Sequence, residues 1–221
     1  KKATKELPLE PERKISFTTN EGTWISVDVH PDGKSIVFDM MGDIYSLPIA
    51  GGKATKVTSG MPYDVHPRFS PDGKSIVFIS DKSGNDNIWT LNLDSKKDKQ
   101  LTKDKNKYHF SADWSPDGDY IVGVTGRRNI KPFLYHIDGG SGAQLIKEPK
   151  NLKLIDPAFS ADGSHIYFSS RTNAWNYNAQ FPQYQIRSFD RENGDTEVIT
   201  SRYGSAFTPT FSPDGNYMVY G

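Results

Sequence analysis

Ser70-Pro71-Asp72-Gly73-Lys74-Ser75-Ile76-Val77-Phe78 is the stretch from which the fold is read. Proline fixes φ, and the Asp-Gly pair that follows tolerates positive φ, so the chain reverses within two residues and enters an apolar strand. Ahead of the turn, Val65, Pro67 and Phe69 alternate with polar residues, the period-two signature of a half-buried strand. Beyond it, Ile76-Val77-Phe78 is continuously apolar, as expected of a strand covered on both faces. The pair reads as a hairpin of strands A and B.

The same unit recurs along the chain. His30-Pro31-Asp32-Gly33, Ser115-Pro116-Asp117-Gly118, Ser160-Ala161-Asp162-Gly163 and Ser212-Pro213-Asp214-Gly215 repeat it, and the five Asp residues lie 40, 45, 45 and 52 residues apart. Strand A is expected at Ile25/Val27/Val29, Phe110/Ala112/Trp114, Ile155/Pro157/Phe159 and Phe207/Pro209/Phe211, and strand B at Ile36–Phe38, Ile121-Val122, Ile166–Phe168 and Met218–Tyr220. A third strand C follows at Ile44–Leu47, Ile88–Leu91, Phe133–His136 and Tyr184–Arg187. A short polar strand D at Thr55–Thr58, Lys99–Thr102, Ala143–Ile146 and Thr196–Ile199 suits an outer edge. A repeat of this length with four strands predicts an all-β fold, a β-propeller of four-stranded antiparallel blades. Residues 24–59, 63–103, 108–149 and 153–200 form four blades, residues 205–221 part of a fifth, and residues 14–20 an outer closing strand. With about four and a half blades the expected ring is open.

Composition narrows the function. Twenty-seven Lys and Arg balance 27 Asp and Glu, so no nucleic-acid partner is expected, and no apolar run reaches the length of a membrane span. The absence of cysteine excludes disulfides and thiolate metal sites. The five histidines, His30, His66, His109, His136 and His165, fall into no metal-binding spacing. Gly139-Gly140-Ser141-Gly142-Ala143 lacks the last glycine of a nucleophile elbow and lies in a turn. The turn aspartates recur in every unit, which marks them as turn formers rather than as a catalytic pair. Asp81, Asn85, Asp86 and Asn87 lack calcium-loop spacing, and Arg127-Arg128 reads as a solvated pair. No catalytic constellation, cofactor or metal site is expected within this chain.

Two groups are candidates for binding. The polar face of strand A, directed at the central channel, carries Ser26/Asp28, His66/Arg68, Ser111/Asp113, Asp156/Ala158 and Thr208/Thr210, with Asp64 and His109 just before. It varies from blade to blade while the apolar face repeats, as expected of a site for a small ligand or peptide, or of a hydrated wall. The long B–C connection of the fourth unit carries Trp175, Tyr177 and Phe181, as expected of a contact with a neighbouring domain or glycan, or of a loop folded back on its blade.

The Ser-Pro-Asp-Gly-Lys units, together with Ser80-Asp81-Lys82-Ser83-Gly84-Asn85-Asp86-Asn87-Ile88-Trp89 and Gly42-Asp43-Ile44-Tyr45, resemble the TolB-like propeller repeat, from about Ile15 onward. Such propellers occur as Tol-system components and as gating domains of prolyl oligopeptidase-type and tricorn-type peptidases. The stretches Phe17-Thr18-Thr19-Asn20-Glu21-Gly22-Thr23-Trp24, Asp43–Gly52, Tyr135–Gly142 and Pro182–Ile186 are similar to the N-terminal propeller of exported amidohydrolase-family proteins. That resemblance implies a non-catalytic propeller ahead of a hydrolase domain holding a zinc-like divalent metal, beyond residue 221, and a periplasmic or secreted location with Lys1 near the start of a mature chain. The alternatives it leaves are a stand-alone Tol-like protein-binding module and the gating propeller of a serine peptidase.

Overall fold

The computed structural model describes residues 15–127, 129–171, 183–201 and 204–221. Four antiparallel sheets follow one another along the chain. The first contains β1 (Val27–Val29), β2 (Ser35–Met40), β3 (Asp43–Pro48) and β4 (Thr55–Lys56); the second β5 (Asp64–Phe69), β6 (Ser75–Ser80), β7 (Asn87–Asn92) and β8 (Asp98–Gln100). The third contains β9 (Tyr108–Trp114), β10 (Tyr120–Gly126), β11 (Lys131–His136) and β12 (Ala143–Gln144); the fourth β13 (Lys153–Phe159), β14 (His165–Arg171), β15 (Gln185–Asp190) and β16 (Thr196–Val198). A fifth pair, β17 (Thr210–Phe211) and β18 (Met218–Val219), makes a two-stranded sheet. Within each four-stranded sheet sequential neighbours pair, so each is the A-B-C-D meander of a propeller blade. The fold is all-β, as the repeat predicts.

Side-chain chemistry explains why the hairpin turn repeats so closely. Ser70, Ser115, Ser160 and Ser212 each donate Oγ–H to the Asp two residues on, at 2.5 or 2.6 Å. The same Asp oxygen accepts the backbone N–H of Lys74, Asp119, Ser164 or Asn216. The glycine between takes φ of 70° to 79° in these four units, where a side chain would be strained. In the first unit His30 replaces the serine, and its ring packs edge-on against Phe69 of the next blade at 4.9 Å.

Strand B sits between two cores, which explains its unbroken apolar run. Ile76 and Phe78 of β6 join Val37, Ile44, Phe69, Trp89 and Leu91 in the core between the first two blades. Their neighbours Val77 and Ile79 point the other way, into a core with Ile88, Trp114, Ile121 and Tyr135. A third core between blades three and four gathers Val122, Leu152, Leu154, Ile166, Phe168 and Phe189. Strand D is exposed, as in β4 and β16, in keeping with a charged outer edge.

Three expectations need correction. Residues 15–20 form no strand, and Ile15 and Phe17 are exposed; Lys14 lies outside the described residues. In the first blade the face carrying Val27 and Val29 is half-exposed at 50% and 53%, whereas Phe69, Trp114 and Phe159, in the position of Val29, are buried. Among the described residues no sheet packs on that side. The alternation in strand A predicts Phe110 in the core, but the register of β9 on β10 shifts between Val124 and Thr125, skipping Phe110 and leaving it 37% exposed.

Candidate functional site

Strand A is bent where the polar lining is densest. His66, Asp156 and Thr208 occupy the same place in their units, six residues before the turn aspartate, and take φ of 56°, 50° and 54°. Each precedes a proline, which disfavours the helical regions for it, and non-glycine residues rarely adopt left-handed φ at all. Such conformations persist only where surrounding contacts fix them. Here a side chain of the preceding blade accepts the backbone N–H: Asp39 takes that of His66 at 2.7 Å, Ser111 that of Asp156 at 3.2 Å, and Ser169 that of Thr208 at 2.8 Å. In blades two and four the ladder register shifts at this point, between Val65 and Arg68 and between Ile155 and Ala158. Bulges re-aim side chains and are common beside binding sites.

Two positions further on, a second tier forms. Asp28 accepts the N–H of Phe69 at 2.7 Å, and Asp113 accepts that of Phe159 at 3.0 Å. Between these two aspartates, at the same position of the intervening blade, stands Arg68. Its guanidinium donates to the Val27 carbonyl at 2.8 Å and lies 3.8 Å from Asp28. Burial raises the pKa of Asp28, with the Arg68 charge opposing it. Asp113 is pushed up to about 6, chiefly by burial, again against the pull of Arg68 and with Asp28 adding repulsion. Part of Asp113 stays accessible to solvent, so the crowding of the wall, not complete enclosure, sets the shift. Asp156 is raised by burial as well, while Ser169 donates to it at 3.0 Å and His66 and Arg68 favour its charged form.

His66 shares a 2.8 Å hydrogen bond with Ser26 Oγ through Nδ1, and burial lowers its pKa, favouring the neutral ring. A serine beside a histidine is half of a nucleophilic arrangement. Among the described residues no carboxylate accepts from the other ring nitrogen, and Ser26 instead gives its backbone N–H to Asp39. The pair is a positioned polar contact across two blades.

The candidates Ser26, Asp28, His66, Arg68, Ser111, Asp113, Asp156 and Thr208 thus form one connected wall spanning five blades. Ala158 and Thr210 lie in the same tier as Arg68. Asp64 and His109 stand apart, both buried at the start of strand A. Burial raises the pKa of Asp64, and its Oδ1 is buried with no hydrogen-bond partner among the described residues, while His109 Nε2 is 2.9 Å from Asp104. Trp175, Tyr177 and Phe181 lie outside the described residues. Two members of the wall escape a reading of strand A alone. Asp39, buried in β2, binds both Ser26 N and His66 N, and Ser169 of β14 occupies the equivalent place. The legible signal is a polar residue seven positions after the turn aspartate, directly after the apolar run of strand B. Among the described residues no three acidic or histidine side chains are grouped to hold a metal ion.

An open arc of antiparallel blades with a variable, charged wall along strand A defines part of a β-propeller. The chain belongs to the family of the tricorn protease N-terminal β-propeller domain, whose model matches residues 24–144. It is also 32% identical over 201 residues to the Tol-Pal system protein TolB of Francisella tularensis subsp. mediasiatica, covering 86% of this chain and 43% of that protein. The chain therefore spans less than half the length of this relative. Over 136 residues it is 29% identical to dipeptidyl-peptidase 5 of Porphyromonas gingivalis, covering 57% of this chain and 19% of that one. The solved structure of a putative TolB from Agrobacterium tumefaciens superposes with a TM-score of 0.74 at 25% identity, covering 88% of this chain and 68% of its own.

Proposed function

We propose that this chain is a non-catalytic, partner-binding propeller that works from a position beside a metal-dependent hydrolase domain of the amidohydrolase type, placed after residue 221 in the same protein. The observation that carries the binding role is the strand A wall. Arg68 is set between two aspartates whose carboxylates already clamp the next blade, which leaves the remaining guanidinium donors, the second oxygens of Asp28 and Asp113, and the free ring nitrogen of His66 to meet a ligand. Donors and acceptors fixed on a rigid ring suit the terminus or polar backbone of a peptide, or a small polar ligand. The hydrolase parent is supported by the resemblance at Phe17–Trp24, Asp43–Gly52 and Tyr135–Gly142. The zinc-like metal that this resemblance implies belongs to that domain. In this reading the protein acts in the periplasm or outside the cell, and the propeller controls substrate access or docks a partner.

A second reading, a Tol-type protein-binding module with no hydrolase attached, is favoured by the identity to TolB. A third, the gating propeller of a serine peptidase, draws on the match to dipeptidyl-peptidase 5. The test is made on the full-length protein with His66→Ala and Arg68→Ala combined. The proposal expects ligand or partner affinity to fall by about tenfold or more, the loss of one or two charge-assisted contacts. Unaltered binding would sink the channel as the site. In the same protein, amide hydrolysis abolished by a chelator supports the hydrolase parent. Its absence leaves the Tol-type reading, and hydrolysis blocked by a serine-directed reagent the peptidase reading.

A further inference from the structure

Away from the channel, the B–C connection of the third blade borders a cavity of about 320 Å³. Three cations line it, Lys107, Arg127 and Lys131, with the amide side chains of Asn106, Asn129 and Gln144 between them and no carboxylate. Among the described residues none of the three cations is within ion-pair distance of an acid. In a chain whose charges balance overall, that is a local excess. Lys131 is the most telling, being only 6% exposed. Its ammonium donates to the Pro149 carbonyl at 2.8 Å, using one of three donors. Burial lowers its pKa, and the charge of Glu148 offsets this only in part. A buried ammonium short of a counter-charge is costly, and it is retained where an anion completes it.

The other two cations are held in place by rings. Lys107 Nζ lies 5.6 Å from the centre of Phe133, and the Arg127 guanidinium 5.8 Å from that of Tyr108. Their donors therefore stay near the cavity without being consumed by an acid. Gly126, on the rim, takes φ of 155°, and a Cβ there would meet the Asn129 carbonyl at 2.4 Å, so Asn129 packs directly against Gly126 beside the cations. We infer that this pocket is an oxyanion site, binding the phosphate or carboxylate group of a small polar molecule whose hydroxyls meet the three amides. Arginine and lysine donors around one cavity match either oxyanion, and the volume is at the lower end of that of small-molecule sites. The site is separate from the strand A wall and stands whether or not that wall binds a partner.

Calorimetry on the full-length protein, with inorganic phosphate and with citrate against chloride at matched ionic strength, is the test. We expect saturable binding of at least one oxyanion and none of chloride; phosphate alone assigns a phosphate ester, citrate alone a carboxylate. Combining Lys107→Ala with Arg127→Ala should weaken binding by about tenfold or more. Lys131→Met should abolish it while thermal stability in anion-free buffer holds or rises, since the change removes a buried charge. No saturable heat with either oxyanion, equal heat with chloride, or unchanged affinity in the double variant would overturn the site. Should Lys131→Met not fold, the double variant decides alone.

Discussion

Asp113 and Asp39 show how much of the wall is structural at the level of single residues. Burial makes Asp113 a poor acid, with its pKa pushed up to about 6. The folded form therefore binds a proton more readily than the unfolded chain between the ordinary aspartate value and about 6. Its contribution to stability is largest in acid and is lost as pH rises through that window. Asp113→Asn, whose amide oxygen still accepts the Phe159 N–H, should abolish this slope between about pH 4 and 6 and stabilise the protein near neutrality by about 1–2 kcal/mol, after allowance for its residual accessibility. Denaturant midpoints across pH are the check, and an unchanged slope would count against it. The exposed turn aspartates run the opposite way. Asp162, held down to about 2 by Ser160 and Ser164, contributes stability that is lost only as pH falls toward that value. Asp39 accepts two backbone N–H groups at once, so Asp39→Ala should cost about 2–4 kcal/mol, the loss of charge-assisted bonds with two donors left unpaired. Asp39→Asn should cost clearly less. Equal stability of the alanine variant and the parent would show that the bent strand does not need the clamp.

Among the elements, the blade-to-blade seam is set by strand B and by one glycine. Gly123 of β10 lies against Ile88, and a Cβ built there would meet Ile88 Cδ1 at 2.3 Å. Ile88 is fully buried and has nowhere to retreat, so Gly123→Ala should cost about 1–3 kcal/mol through overpacking. Adding Ile88→Val should recover part of the loss, measured by thermal unfolding of the two variants. Recovery is the diagnostic, because a purely backbone effect of the alanine would remain. The elements are also the most legible level of this sequence. The Ser-x-Asp-Gly turn and the two-faced strand B were legible because their causes are local, a hydroxyl–carboxylate bond and a two-residue alternation. The bulges of strand A were not. His66, Asp156 and Thr208 break the local rule for a residue before proline, and only a cap from the neighbouring blade, between 27 and 45 residues away in the chain, permits it. Asp39 stayed hidden for the same reason, since inside Val37-Phe38-Asp39-Met40 it reads as an exception to an apolar run rather than as a clamp. The residues of the wall were legible as a set. Their mutual contacts, with Arg68 between Asp28 and Asp113, depend on how blades stack, and no single repeat records that.

For the whole molecule, blades joined by backbone clamps make a rigid frame, and rigidity is what lets a varied polar lining hold a geometry. The same frame serves proteins as different as TolB and tricorn protease, so the fold by itself does not decide function. The most direct test places a photo-crosslinking residue at Thr210, the exposed position equivalent to Arg68 in the fifth blade, and a control at Glu197 on the outer strand β16 of the full-length protein. Both are irradiated with a pool of short peptides and read by mass spectrometry. A strand A wall that binds a partner predicts adducts at position 210 and not at 197, lost when His66 and Arg68 are both alanine. Equal adducts at the two positions, or adducts at 210 that survive the double substitution, would contradict it.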